Sequence, residues 1–359
     1  MSEAHWYGLI MAGGRGTRFW PRSRRARAKQ VLRVLGERSL IQQTVDRLRP
    51  LIPCERLWVV TNEHLRAEIV RQLPEVPRAQ ILAEPVARNT APCIGLAAQI
   101  LQAVDPRAVM GVFPADQVIG KPARFLRLAR AAFRAAERGR LVVLGIQPRW
   151  AETGYGYVEF AEGVQAGRLE PSPVLRFREK PDQKTAEAFV AAGRFCWNSG
   201  MFFWRADVFL EALRRHLPKT AALLASLPAF GRPRFRSRLR EVFPRCENIS
   251  VDYAVLEKAG DVVGLAADDI QWNDVGSWNA VYELLPRDAD GNAARGETLA
   301  VASRGNYVDV EGKLVALLGV ENLVVVDTPD ALLVADRARA QQVGELVKRL
   351  EQRGREDLL

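Results

Sequence analysis

Apolar runs of strand length alternate with amphipathic stretches of helical spacing through the first 150 residues, and no other feature constrains the fold as tightly. Strand-type runs fall at 6–11, 57–61 ("LWVVT"), 80–83, 109–113 ("VMGVF") and 141–146, with helical spacing at 40–51, 63–72, 91–103 and 123–138. Strands separated by helices of that length return to the same end of a sheet, so they pair in parallel through right-handed crossovers. Ligands of such sheets gather outside the carboxyl ends of the strands. The loops to examine are therefore 12–18, 84–90 and 114–118.

From residue 151 the texture changes. "TGYGYVEF" and "VLRFREKP" read as paired strands, and "WNSGMFFW" as a short apolar segment after a helix. Residues 207–260 read as mainly helical with a basic interruption, "RPRFRSRLR". Past Asp290, Gly291 and Asn292, short β-type runs recur about every ten residues, the spacing of a small β-solenoid or sandwich. An amphipathic helix over 339–353 closes the chain.

Several function classes are disfavoured by composition. The longest apolar runs are strand-sized, far short of a membrane span. The N-terminus has no charged region or small-residue cleavage site, so a secretory signal is not expected. Cys54, Cys93, Cys196 and Cys246 form no CxxC pair and have no histidine cluster beside them, which argues for free thiols in a reducing cytoplasm. The net charge is +10, but only eight of the 52 cations are Lys and the rest are Arg, spread from Arg15 to Arg355. With no zinc-finger spacing, RNP motif or basic zipper, this is a solvated basic surface rather than a nucleic-acid interface.

The first loop lies in "LIMAGGRGTRFWPRSRRARAKQ", residues 9–30. After the strand, Ala12, Gly13, Gly14, Gly16 and Thr17 leave backbone N–H groups free to converge on phosphates without Cβ obstruction. Arg18 and Lys29 add positive charge, whereas Arg22, Arg24, Arg25 and Arg27 line the entrance or face solvent. The alternatives are a plain tight turn or a dinucleotide loop. The spacing is G-G-x-G rather than G-x-G-x-x-G, and Phe19 holds the third glycine's place, although Glu37 lies where a ribose-binding acid belongs.

In "EPVARNTAP" (84–92), Arg88, Asn89 and Thr90 offer donors and acceptors suited to a purine edge, or Asn89 or Thr90 simply caps the following helix. Asp116 in "FPADQVI" follows an apolar strand, where a carboxylate can hold Mg²⁺ against phosphates or merely make a turn. Gly154 and Gly156 in "ETGYGYVEF" permit close approach of backbone to a flat ring. Glu179 and Lys180 in "REKPD" and Asn198 in "WNSGMFFW" can bind hydroxyls and a phosphate. Asp252 in "SVDYAVLEK" and Asp274 in "WNDVGSWNAVYEL" read equally as a helix N-terminal acid and a turn residue.

Taken in order, these motifs resemble those of the sugar-nucleotide pyrophosphorylases, whose opening LAGGxGTRLWPLS and following PKQ stand here as "MAGGRGTRFWPRS" and "AKQ". Trp20–Pro21 narrows the resemblance to the mannose-1-phosphate guanylyltransferase branch, and it covers about residues 6–340. It implies an α/β fold. A Rossmann-like nucleotidyltransferase domain with a mixed, mostly parallel sheet would span residues 1–285, and a small β-helix-like C-terminal domain residues 286–359.

The reaction implied is GTP plus α-D-mannose 1-phosphate giving GDP-mannose and pyrophosphate. Arg18 and Lys29 would be catalytic, and Ala12, Gly13, Gly14, Gly16, Thr17, Arg18, Glu84, Arg88, Asn89, Thr90 and Asp116 would bind the nucleotide. Gly154, Tyr155, Gly156, Glu179, Lys180, Asn198 and Asp252 would bind the sugar, with Asp116 and Asp274 on Mg²⁺ or another divalent cation. The family's Pro, Phe and His are replaced by Ala28, Val31 and Gln117. Bifunctional members continue into an isomerase domain with metal-binding histidines. With only His5, His64 and His216, that activity is not expected here. Competing readings are a nucleotidyltransferase for another hexose or heptose 1-phosphate, or a non-catalytic sugar-nucleotide-binding protein. A cytoplasmic enzyme, compatible with a homodimer and with no nucleic-acid or membrane partner, is the expectation.

Overall fold

The chain's first strand, β1 (Trp6–Ala12), is apolar throughout because both of its faces are covered. In a computed structural model describing residues 3–359, it lies within a nine-stranded sheet. The other strands up to residue 273 are β2 (Leu57–Asn62), β3 (Ile81–Glu84), β4 (Val109–Pro114), β5 (Val118–Ile119), β6 (Leu141–Ile146), β7 (Tyr157–Phe160), β8 (Ser172–Arg178), β9 (Phe195–Arg205), β10 (Val262–Ala267) and β11 (Trp272–Asn273). The sheet order is β3-β2-β1-β4-β9-β6-β10-β8-β7. β8 and β9 run against the other seven strands, so the sheet is mixed and mostly parallel, as expected.

Helices cover both faces. Leu40–Leu48, Glu63–Gln72 and Pro122–Glu137 pack on one, where Trp6 stacks on Phe133 at 4.7 Å. Thr90–Val104, Ala206–His216 and Pro218–Ala225 pack on the other. Ser39 starts the first of these helices with a capping box, its side chain accepting from the Gln42 amide while Gln42 reaches back to the Ser39 N–H. Among the described residues no helix is long and apolar enough to cross a membrane.

Three readings of the middle region need correction. β9 is an eleven-residue strand, because "WNSGMFFW" lies between β4 and β6 and pairs with both. The basic stretch "RPRFRSRLR" runs into a helix, Phe235–Val242, anchored by buried Phe235 and Leu239. β10 was not anticipated; it pairs in parallel with β6 and is buried along nearly its whole length.

The C-terminal runs form β12 (Ala293–Arg295), β13 (Thr298–Val301), β14 (Tyr307–Asp309), β15 (Val315–Leu318), β16 (Leu323–Thr328) and β17 (Ala331–Asp336). β12, β14 and β16 pair in parallel, as do β13 and β15, so the chain winds as a solenoid rather than a sandwich. β17 closes it antiparallel to β16. Inside, Asn306 Nδ2 donates to Asn292 Oδ1 at 2.9 Å, and Asn306 Oδ1 accepts from the Leu323 amide at 2.9 Å, which satisfies buried polar groups turn by turn.

A separate core joins this domain to the segment after the Gly-rich loop, bringing Phe19, Trp20, Leu32 and Trp278 against Tyr307, Val324, Val343 and Val347. Trp278 Nε1 donates to the Trp20 carbonyl at 3.1 Å, and Trp20 Nε1 donates to the Leu358 carbonyl at 3.1 Å. The Trp20–Pro21 peptide is cis.

The arginine run follows this seam. Arg22 forks onto Asp309 at 2.8 and 3.2 Å, Arg24 pairs with Asp330 at 2.9 Å, and Arg25 pairs with Glu356. These side chains therefore do not simply face solvent; their partners lie on the solenoid and the chain terminus.

The Asp309 side chain is 3% exposed and that of Asp330 47%. Asp309→Ala is expected to lose about 2 kcal/mol in urea unfolding, because the half-buried Arg22 loses its two-pronged partner and keeps only the exposed Glu311 at 3.2 Å. Asp330→Ala is expected to lose less than about 1 kcal/mol, as for a surface pair.

Candidate active site

The loop leaving β1 is held open from below. Gly16 has φ +62°, and a Cβ there would lie 2.6 Å from Lys29 Cβ and 2.7 Å from its backbone nitrogen, so the turn admits only glycine. Gln30 Nε2 donates to the Ala12 carbonyl at 2.7 Å and to that of Gly14 at 3.0 Å, which ties the loop to the segment that carries Lys29. Ala28 and Val31, the departures from the family pattern, are both buried against the core, so this segment is seated firmly without the usual proline.

Lys29 is only 7% exposed. Its Nζ donates to the Asp274 carbonyl at 2.6 Å, pairs with Asp116 Oδ2 at 2.9 Å and lies 5.7 Å from the centre of the Phe19 ring. The two aspartates meet because β5, just after Asp116, pairs antiparallel with β11, just before Asp274, matching Val118 to Asn273. Asp274 Oδ1 accepts from the Tyr155 hydroxyl at 2.6 Å. Arg18 Nη1 reaches the Gly276 carbonyl at 3.4 Å.

Two cavities share Asp116, Gln117 and Asp274 as walls and so meet at them. One, of about 630 Å³, is lined by Gly16, Thr17, Arg18 and Lys29. The other, of about 600 Å³, is lined by Ala12, Gly13, Gly14, Glu84, Asn89, Thr90, Gly154, Tyr155, Gly156, Glu179, Lys180, Asn198 and Asp252. A larger cleft of about 750 Å³ between the arginine segment and the solenoid holds none of these residues.

Arg88 is the one predicted residue brought to neither cavity. It turns away to donate to the Pro244 carbonyl, so the expectation that it reads a purine edge is not met. Asn89 takes φ +63° and accepts from the Thr90 amide at 2.9 Å at the start of the helix, so the cap reading holds while both residues still line the cavity.

Glu84 ends β3 in a buried position, and burial pushes its carboxyl up to about 7 despite a hydrogen bond from Cys93. Among the described residues its Oε1 has no hydrogen-bond partner. Burial likewise pushes the Cys93 thiol far up, so it stays protonated.

At the opposite end, the Asn198 amide donates to the Gly156 carbonyl at 2.8 Å and the Lys180 amide to that of Tyr155 at 3.2 Å, which draws three separate motifs together. A Cβ on Gly156 would collide with Glu179 Oε2. Asn198 Nδ2 donates to Asp252 Oδ1 at 2.7 Å. The Asp252 carboxyl is raised by burial, with the Glu179 charge adding to the shift.

Gln117 replaces the family's usual histidine without loss of structure. Its Nε2 donates to the Ser199 carbonyl at 2.6 Å and its Oε1 accepts from Trp272 Nε1 at 2.9 Å, which satisfies a buried amide on both sides. Gln30, Trp272 and residues of the last helix also line or support the cavities and were not anticipated. The only local signal for Gln30 was its place after Lys29 in "AKQ".

Residues 7–291 match the family model for nucleotidyl transferases, and 296–350 match that of the MannoseP isomerase/GMP-like beta-helix domain. A mannose-1-phosphate guanylyltransferase of Klebsiella pneumoniae is 43% identical, across 97% of this chain and 74% of that protein. One of Escherichia coli shows the same identity and coverage. The chain belongs to the mannose-1-phosphate guanylyltransferase family of nucleotidyl transferases. Among solved structures, a mannose-1-phosphate geranyltransferase from Thermus thermophilus superposes with a TM-score of 0.85 at 34% identity, covering 97% of this chain and 99% of that one. Membership of this family accounts for the ordered motifs, the mixed sheet and the solenoid together.

The state of Glu84 gives a pH test. Its folded value near 7 exceeds the ordinary 4.5, so the fold favours the protonated acid. The penalty for ionising it is absent below about 4.5, grows as pH rises and is complete above about 7. Glu84→Gln is therefore expected to be more stable than the parent by up to about 3 kcal/mol at pH 8, with the gap shrinking towards pH 5. Urea unfolding at the two pH values measures it.

Proposed function

We propose that the chain transfers GMP from GTP to α-D-mannose 1-phosphate, releasing pyrophosphate and forming GDP-mannose. The observation that carries this reading is the meeting of the two cavities at Asp116 and Asp274, with Lys29 bound to both. The Gly-rich loop borders both cavities, Gly16 and Thr17 on one side and Gly13 and Gly14 on the other, and the side chains suited to a base and to sugar hydroxyls line the second.

The base end supports guanine. The unpartnered Glu84 oxygen is an acceptor in a desolvated wall, and guanine presents two adjacent donors, N1–H and the 2-amino group, where adenine has an N1 acceptor and a C2–H. Leaving such an acceptor unmatched is costly, which favours discrimination against ATP. At the sugar end, Asn198, Glu179 and Asp252 offer donors and acceptors to hydroxyls.

In the reaction, a phosphate oxygen of mannose 1-phosphate forms a bond to the α-phosphorus of GTP while the bond to the β-phosphate oxygen breaks. No proton has to move, because the attacking phosphate is already ionised. No side chain is needed as nucleophile, and the nearby candidates are engaged elsewhere. The Cys93 thiol stays protonated, Ser199 Oγ donates to the Leu144 carbonyl at 2.5 Å, and Thr90 Oγ1 accepts from the Val251 amide at 2.8 Å. Lys29 offsets charge where the two substrates meet, while Arg18 and the 13–17 amides hold the triphosphate, so catalysis rests on alignment and charge neutralisation.

Asp116 and Asp274 would hold a divalent cation such as Mg²⁺. Two hard carboxylates beside a phosphate loop suit that ion, which commonly takes one or two protein carboxylates and completes its shell with phosphates and water. When bound, it would neutralise phosphate charge. Free thiols at all four cysteines and the use of GTP support a cytoplasmic location. Exposed Leu299, Val301 and Leu318 on the solenoid support a homodimer.

The test is pyrophosphate release with mannose 1-phosphate, Mg²⁺ and GTP, with ATP, UTP and other hexose 1-phosphates as controls. GTP and mannose 1-phosphate should be preferred, and Glu84→Ala should erode the preference for GTP over ATP. Lys29→Met and Asp274→Ala should each lose about 10²–10³ in kcat. Equal use of ATP by the parent chain would overturn the base assignment, and parent-like turnover by Asp274→Ala would overturn the metal assignment.

A further inference from the structure

The last helix, Val343–Gln352, does more than close the solenoid: it forms one wall of the phosphate-side cavity. Its first turn lies against the turn Thr17–Phe19 that follows the Gly-rich loop. Gly344 permits this approach, since a Cβ there would press to 3.3 Å from Thr17 Oγ1. Val347 anchors the helix in the core it shares with Phe19.

Lys348, one turn after Gly344, lies on the same helical face and lines the cavity that Arg18 and Lys29 also line. The acid one turn further along, Glu351, is engaged by Arg15 at 2.5 Å. Among the described residues Lys348 has no carboxylate within ion-pair distance. An exposed lysine with no ion-pair partner thus lines the same cavity as the Gly16–Thr17 loop segment.

We propose that Lys348 binds the β- and γ-phosphates of the nucleotide and the pyrophosphate that they become, so that the C-terminal domain supplies part of the substrate site. This rests on the guanylyltransfer reading for the direction in which the nucleotide lies. With the base at Glu84 and the α-phosphorus near Asp116, the outer phosphates extend towards Gly16, Thr17 and the helix. A lysine serves there as a mobile point charge that can follow the phosphates as they leave. The Arg15–Glu351 pair keeps the helix face in register with the loop.

The experiment is calorimetric binding of inorganic pyrophosphate with Mg²⁺ to the full chain, to Lys348→Gln and to Lys348→Arg. Steady-state KM values for GTP and mannose 1-phosphate and thermal unfolding of each variant accompany it. Lys348→Gln should weaken pyrophosphate binding about tenfold, the loss of one charge-assisted contact. Its KM for mannose 1-phosphate and its melting temperature should stay unchanged, and Lys348→Arg should restore most of the pyrophosphate affinity.

Unchanged pyrophosphate affinity in Lys348→Gln would overturn the proposal. So would a loss shared with mannose 1-phosphate, accompanied by a lower melting temperature and not rescued by arginine, because that pattern is structural. A parent chain that binds no pyrophosphate would overturn it as well. A parent chain that makes no GDP-mannose yet binds pyrophosphate through Lys348 would overturn the catalytic reading alone.

Discussion

The rest of the site depends on one buried ammonium. Lys29 is held between the Asp116 carboxylate and the Asp274 carbonyl, which joins a loop after β1, a loop after β4 and a loop after β11. A charge so nearly removed from water is stable only with such partners, so its burial fixes all three loops at once. Gly16 is glycine because Lys29 packs beneath it, and Gln30 holds the loop carbonyls from the same short segment. Tyr155 then fastens the Asp274 carboxylate to the sugar-side loops. The loop proposed to cradle phosphate, the candidate metal pair and the proposed sugar end thus form one unit rather than three motifs that happen to be close.

A second set of contacts ties this unit to the C-terminal solenoid. The Arg22–Asp309 pair is nearly buried, the Trp20 indole donates across the seam to the Leu358 carbonyl, and the Trp278 indole braces Trp20 from its own side. The segment that leaves the phosphate loop is therefore also the segment on which the solenoid docks. Disturbing that dock should reach the loop through a few residues of continuous chain. The arrangement explains why the last helix ends up beside Thr17.

Much of this was legible in the sequence because the signals were local. Apolar strands alternating with amphipathic helices mark a parallel sheet whatever the distant contacts are, and the Gly-rich loop reveals itself by the missing Cβ atoms. What escaped reading depended on pairing at a distance. β10 is short and carries Gly264, Ala266 and Ala267, so its strand character comes from lying between β6 and β8 rather than from its composition. The choice between solenoid and sandwich turned on parallel register between strands fourteen to seventeen residues apart, such as Ala293 with Tyr307 and Thr298 with Val315. Arg88 was misread because a donor type says nothing about direction, and the Pro244 carbonyl takes it. The arginine run reads from sequence as lining an entrance or facing solvent because its acids, Asp309, Asp330 and Glu356, lie about 290 to 330 residues away in the chain.

In the proposed mechanism, alignment and charge alone drive a single displacement at the α-phosphorus, with no enzyme-bound nucleotide. The most direct measurement is the stereochemical course at that phosphorus, followed by phosphorus NMR with one diastereomer of guanosine 5′-O-(1-thiotriphosphate) as donor and mannose 1-phosphate as acceptor. One in-line attack inverts the configuration in the GDP-mannose analogue, and inversion is the predicted result. Retention would require two displacements through a covalent nucleotidyl side chain and would contradict the account.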